Sequence, residues 1–295
     1  MSVAGSMRFV PILRRASRAA SQWRLLLLWI LVVSVPTVMA VLPLWRIVAD
    51  QLDHSVHAAE WTSQWNLVML ADLGERLTRA SGALVGSDVS AGLVLLGLMP
   101  LLNGLFIVAS RAATTATLGR LIRGGCDEYG RMLRIMCLAI VPQGIALGVG
   151  FAALKGVRYY GEHAILQSPV THLRWAAIAV SGLLFLYANA SVDAGRAFLA
   201  LHPGKRSVVK AWWRGLKLVV CHPVRSLGPY LVITLAAVLA LAAAAWLRIE
   251  LPTASVPAMV LGWVTTQLIV AITAWMHFAR LFALQFALGD VTRDS

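Results

Sequence analysis

Six stretches of this 295-residue chain, at about residues 25–45, 91–109, 135–154, 175–193, 229–247 and 257–279, are almost free of charge and close to the length that crosses a bilayer. A hydrocarbon core ~30 Å thick offers no water to backbone N–H and C=O groups. A run of roughly 20 apolar residues there must close its own hydrogen bonds as an α-helix. The pattern therefore predicts an all-α integral membrane protein with six transmembrane helices. The longest polar connection, residues 46–90, is too short to bury a separate soluble core. Composition agrees, with 59% hydrophobic residues, 13% charged residues and a mean hydropathy of +0.75.

Charge orients the spans. The segments that fall on one side are the basic arm 1–24, the loops 110–134 and 193–225 and the tail 281–295. With Arg280 they carry +14 of the net +13, and the segments on the other side carry −1. Lys and Arg are retained on the cytoplasmic side of a membrane. Both termini are accordingly expected in the cytoplasm, in a bacterial cytoplasmic (inner) membrane. The arm and the apolar run after it also have the form of a signal peptide, with Val38-Met39-Ala40 as a cleavage site. The run continues to Trp45, long enough to remain as a span, and Pro36 and Pro43 are expected to kink or end it.

Arg111, Arg196 and Arg280 each follow an even-numbered span and lie 85 and 84 residues apart. That spacing suggests three helical hairpins in pseudo-repeat within one membrane domain, residues 25–280. Each arginine is expected to snorkel to the interface and favour the negative C-terminal end of its helix.

Two basic elbows, 110–134 and 194–228, are expected to form amphipathic interfacial helices. In the first, Arg120, Arg123, Asp127, Arg131 and Arg134 share a helical face. In the second, Arg206, Lys210, Arg214 and Lys217 do the same, opposite Val209, Trp212, Trp213, Leu216 and Val220. Such helices lie in the headgroup layer with cations toward anionic lipid. The contact residues are thus Arg206, Lys210, Arg214, Lys217, Trp212 and Trp213. They would bind membrane lipids with anionic headgroups or a membrane or cytoplasmic protein partner. The plainer alternative is an elbow that only docks on the bundle. Nucleic acid is not expected, because the aromatics are on the wrong face to stack on bases.

On the outer side, Trp65, Met69, Leu73 and Leu77 share a helical face, and Asp72/Arg76 and Glu75/Arg79 are spaced to pair. Asp50, Asp53, His54, His57 and Glu60 would align along one stripe of a helix continuing from the first span. Imidazole and carboxylate at that spacing suit a divalent metal; a solvated helix face explains the same residues. No other cofactor is expected.

Within the spans, the polar residues to weigh are Asn103, Gln143, Asn189, Asp193, Arg196, Gln267 and His277. Asp193 and Arg196 are one turn apart and can pair. The others can bond between helices without any further role. Gly144 and Gly148, and the alanines from 236 to 245, would permit close helix packing and a homo-oligomer. Pro100, Pro142 and Pro229 would interrupt or open spans, as in transporters with broken helices. Cys126, Cys137 and Cys221 have no disulfide or zinc spacing.

No phosphate loop, GxSxG elbow or HExxH motif occurs, so no catalytic residue is assigned. Three function classes remain. The favoured one is a non-catalytic membrane module binding lipid or a partner protein through its basic elbows. The alternatives are a small-solute, ion or metal transporter or channel, and a membrane enzyme acting on lipid.

Overall fold

Backbone groups that cannot reach water close on themselves, and every regular element in the structure is an α-helix. The structure, a computed structural model, describes residues 3–53, 67–112, 116–163, 167–205, 207–251 and 255–294. Among them are nine helices: α1 (Val3–Ala20), α2 (Trp23–Asp53), α3 (Leu67–Arg79), α4 (Ser81–Arg111), α5 (Leu118–His163), α6 (Gln167–Leu201), α7 (Val208–Cys221), α8 (Pro223–Glu250) and α9 (Val256–Asp294).

Six of these, α2, α4, α5, α6, α8 and α9, are long and apolar enough to cross a membrane. The protein is a six-span, all-α polytopic membrane protein. Its apolar side chains agree: Ile140 and Phe151 on α5 are 69% and 79% exposed, as a hydrocarbon surrounding makes favourable.

The helices run longer than the apolar stretches. α5 takes in the first basic elbow from Leu118 onward, and α9 continues through the tail to Asp294. The arm is itself helical, with Ile12, Ala16 and Ala20 buried and Arg14, Arg15 and Arg18 exposed. On the outer side, Asp72–Arg76 and Glu75–Arg79 pair along α3 at 3.5 and 2.5 Å. Leu73 and Leu77 are half-buried there, Trp65 lies outside the described residues, and so does the Met69 side chain.

The prolines do not break the spans. α2 passes through Pro36 and Pro43, α4 through Pro100, α5 through Pro142 and α8 through Pro229. A proline removes one backbone donor, and a helix in a membrane adjusts locally rather than unwinding into lipid.

The chain divides into two compact units. The first comprises Met1–Gln22, Asn103–Val238 and Trp275–Ser295, and the second Trp23–Leu102 and Leu239–Ala274. Charge divides with them. The first unit has 21 Lys and Arg against 6 Asp and Glu, a net of +15; the second has 5 against 7, a net of −2.

The first unit is built on α6. From Ala188 to Ala200 nearly every residue of this helix is buried, because it is packed by both α5 and α7. α5 and α6 form an antiparallel hairpin. Gln143 meets Asn189, Gly150 abuts Ser181 and Gly161 abuts Val170, one residue number rising as the other falls. Gly144 and Gly148 have open space beside them, so this Gly-x-x-x-Gly does not form the helix contact expected of it within the chain. The close approach is at Gly150, on another face. The alanines of α8 divide: Ala237 and Ala244 are buried, and most of the others face outward.

Candidate functional site

The sequence-selected polar residues of the first unit are brought together in pairs and, apart from Asp193 with Arg196, these are pairs that periodicity did not identify. Asp193 is 6% exposed near the end of α6. Its Oδ1 receives Arg196 Nη1 at 2.6 Å and its Oδ2 receives the Tyr230 hydroxyl of α8 at 3.2 Å. The Arg280 guanidinium of α9 lies 4.8 Å from the Tyr230 ring centre, and its Nε donates to Thr234 Oγ1 at 2.9 Å. His277, one turn before Arg280, meets Asn103 Oδ1 of α4 at 3.0 Å. Gln143 donates to Asn189 at 3.0 Å, and Asn189 donates onward to Phe185 O. Only Gln267 is elsewhere, in the second unit.

Both Asp193 oxygens are engaged by the protein itself. A buried carboxylate shared between a guanidinium and a phenol fixes three side chains on two helices. Its environment is that of a structural joint. Tyr230 and Thr234 carried no signal in the sequence beyond their place at the start of an apolar run.

The three equally spaced arginines differ in their surroundings. Arg196 pairs within α6 and Arg280 covers Tyr230. Arg111 reaches the C-terminal end of a different helix, donating to Ala200 O at 2.9 Å and Leu199 O at 3.0 Å on α6. Arg131 donates to Lys205 O at 3.1 Å, in the turn that follows α6. Glu128 holds both arginines, each at 2.7 Å. Two cations at the negative end of a helix are favourable, and here they also pin the turn leading into α7. Arg131 therefore leaves the exposed stripe expected of it, while Arg120, Arg123, Asp127 and Arg134 remain exposed along α5.

α7 itself begins at Ser207, whose hydroxyl accepts from Lys210 N at 3.4 Å. The side it presents to the protein is Val208, Ala211, Gly215, Leu218 and Val219. A Cβ added to Gly215 would stand 2.5 Å from Gly195 N, so the α6 and α7 backbones touch there. Small residues allow the closest backbone approach, and they win over the bulkier Val209, Trp213 and Val220, which are 59%, 62% and 60% exposed. Trp212 turns inward instead, donating from Nε1 to Ser191 Oγ at 3.1 Å.

Three stripes result. One docks on α6. A second, Val209, Trp213, Leu216 and Val220, is apolar and mostly exposed; a third, Lys210, Arg214 and Lys217, is cationic and exposed. Arg214 lies 5.0 Å from the centre of the Phe198 ring, so part of its charge is held against α6. Arg206 lies outside the described residues.

The outer metal candidate falls largely outside them too: His54, His57 and Glu60 do, as does the side chain of Asp53, and Asp50 is exposed on α2. Among the described residues no cluster of three or more His, Cys, Asp and Glu could hold a metal. The three cysteines are free and exposed.

Compared with known proteins, the chain matches no family model, no curated protein and no solved structure.

Proposed function

We propose that the protein is a non-catalytic membrane module that binds anionic lipid headgroups through α7. The single observation that carries this reading is the pair of exposed stripes on a helix already docked by its third side. An apolar stripe holding Trp213 beside a stripe holding Lys210, Arg214 and Lys217 is the arrangement of a helix lying in an interface. Each cation near an anionic surface contributes ~1 kcal/mol. The charge asymmetry of the sequence supports a cytoplasmic position for this face in a bacterial inner membrane.

The saturated Asp193 joint and the unbroken spans add nothing to a transporter reading. The test is quenching of tryptophan fluorescence in bilayers of brominated anionic or brominated zwitterionic lipid, with Trp213→Phe isolating the contribution of Trp213. Stronger quenching by the anionic lipid, lost when Arg206, Lys210, Arg214 and Lys217 are changed together to Gln, is the expected result. If the quadruple variant keeps the preference, the reading fails; if it loses a protein partner while never having shown a lipid preference, α7 is a protein-docking helix.

A further inference from the structure

α4 and α5 meet on glycine. A Cβ added to Gly104 would stand 2.7 Å from Gly125 O, and one added to Gly124 would stand 2.5 Å from Val108 Cγ2. Small residues bring two helices this close. Gly119, near the start of α5, has nothing within 4 Å. Here an open cavity of about 560 Å³ is lined by Val108 of α4 and by Gly119, Arg120, Arg123, Gly124 and Asp127 of α5. Small-molecule sites occupy roughly 300–1,000 Å³.

Helical spacing explains what surrounds that space. Arg120, Gly124 and Asp127 recur at i, i+4 and i+7 and share one face, with Arg123 beside them. Gly124 contributes no side chain to the middle of this row. A gap therefore separates a guanidinium from a carboxylate on the same face. Among the described residues, the Arg120 and Arg123 guanidinium groups and the Asp127 carboxylate have no ion-pair or hydrogen-bond partner. Glu128, the next residue, is the contrast, since it holds Arg111 and Arg131 at 2.7 Å each.

The charges select the ligand. Guanidinium presents a planar fork matched to phosphate oxygens. A carboxylate in the same cavity repels a bare phosphate and attracts an ammonium group. The set is complementary to a zwitterion that carries both. No aromatic side chain among the described residues lines the cavity, so a nucleotide base has nothing to stack on and a quaternary ammonium has no ring face to meet. A primary ammonium needs neither, because it can donate to Asp127. Val108 is one turn before Arg111, where α4 ends, and the end of a span is the depth of lipid headgroups.

We infer that this cavity binds a phosphoethanolamine group, with its phosphate on Arg120 and Arg123 and its ammonium on Asp127. The group comes either from a phospholipid headgroup or from the free phosphorylated amino alcohol. The site is separate from α7 and does not rest on the function proposed for that helix.

Isothermal titration calorimetry of the full-length protein in detergent reads the site with four probes: phosphoethanolamine, a short-chain phosphatidylethanolamine, inorganic phosphate and ethanolamine. At least one of the first two is expected to bind about tenfold or more tightly than the last two. Tighter binding of the lipid than of free phosphoethanolamine makes the source a phospholipid; the reverse makes it the free compound. Arg120→Gln or Arg123→Gln should weaken binding about tenfold, the effect of losing a charge-assisted hydrogen bond. Asp127→Asn should abolish the preference for phosphoethanolamine over phosphate. Gly119→Leu fills the open space and should prevent binding without lowering helicity or melting temperature. Arg134→Gln, exposed on α5 outside the cavity, should change nothing. The assignment is overturned if neither phosphate ester binds, if Gly119→Leu binds as the wild type does, or if Asp127→Asn keeps the preference.

Discussion

The Tyr230 hydroxyl donates to Asp193 Oδ2 at 3.2 Å while Arg196 occupies Oδ1 at 2.6 Å, so one carboxylate ties α8 to α6. Deleting it leaves a guanidinium and a phenol behind, both mostly buried. Asp193→Ala is expected to destabilise the protein by about 3–5 kcal/mol, the cost of breaking a buried pair from one side. Tyr230→Phe should cost about 1.5–3 kcal/mol, the range for a hydrogen bond to a charged group. Thermal unfolding in detergent measures both. An Asp193→Ala protein as stable as the wild type would remove the joint from the account.

Glu128 has a comparable position between Arg111 and Arg131. Glu128→Gln keeps the size of the side chain and removes the charge holding both cations. A loss of about 1.5–3 kcal/mol is expected, the range for hydrogen bonds to charged groups. Because Arg131 also holds Lys205 O, limited proteolysis should cut the 202–205 turn faster in this variant.

Gly215→Leu places a side chain where a Cβ alone would approach Gly195 N to 2.5 Å. Overpacking of this kind costs typically about 1–3 kcal/mol, and more when backbone must move. The expected readout is a lowered melting temperature together with loss of the Trp213 quenching difference between anionic and zwitterionic lipid. Gly144→Leu, in open space, should do neither.

The ion pairs of α3 are a control. Asp72 and Arg76 have half of their side-chain surface exposed, and Glu75 and Arg79 more. Exposed pairs at this spacing contribute at most a few tenths of a kcal/mol. Asp72→Asn and Glu75→Gln should leave the melting temperature unchanged within error.

What was legible in the sequence were the features set by length and by local spacing. Six apolar runs give six helices, and Asp193 and Arg196, one turn apart, are a pair. What was not legible depends on the register between helices. Nothing in the neighbourhood of Asn103 points to His277, 174 residues away, or from Gln143 to Asn189. Which face of α7 docks on the bundle was not legible either, for a further physical reason. Hydrophobicity ranks Val209, Trp213 and Val220 above Ala211 and Gly215, which is the right order for burial from water. Helices in contact within a membrane protein are chosen instead by how closely their backbones can approach.

The contact between Gly195 and Gly215 fixes the roll of α7 about its own axis. Turn the helix by a single residue, ~100°, and Lys210, Arg214 and Lys217 would leave the side they now share. The direction in which the cations point is therefore set by two positions that have no side chain and touch nothing outside the protein. A change of lipid preference could arise at either glycine with every charged residue intact.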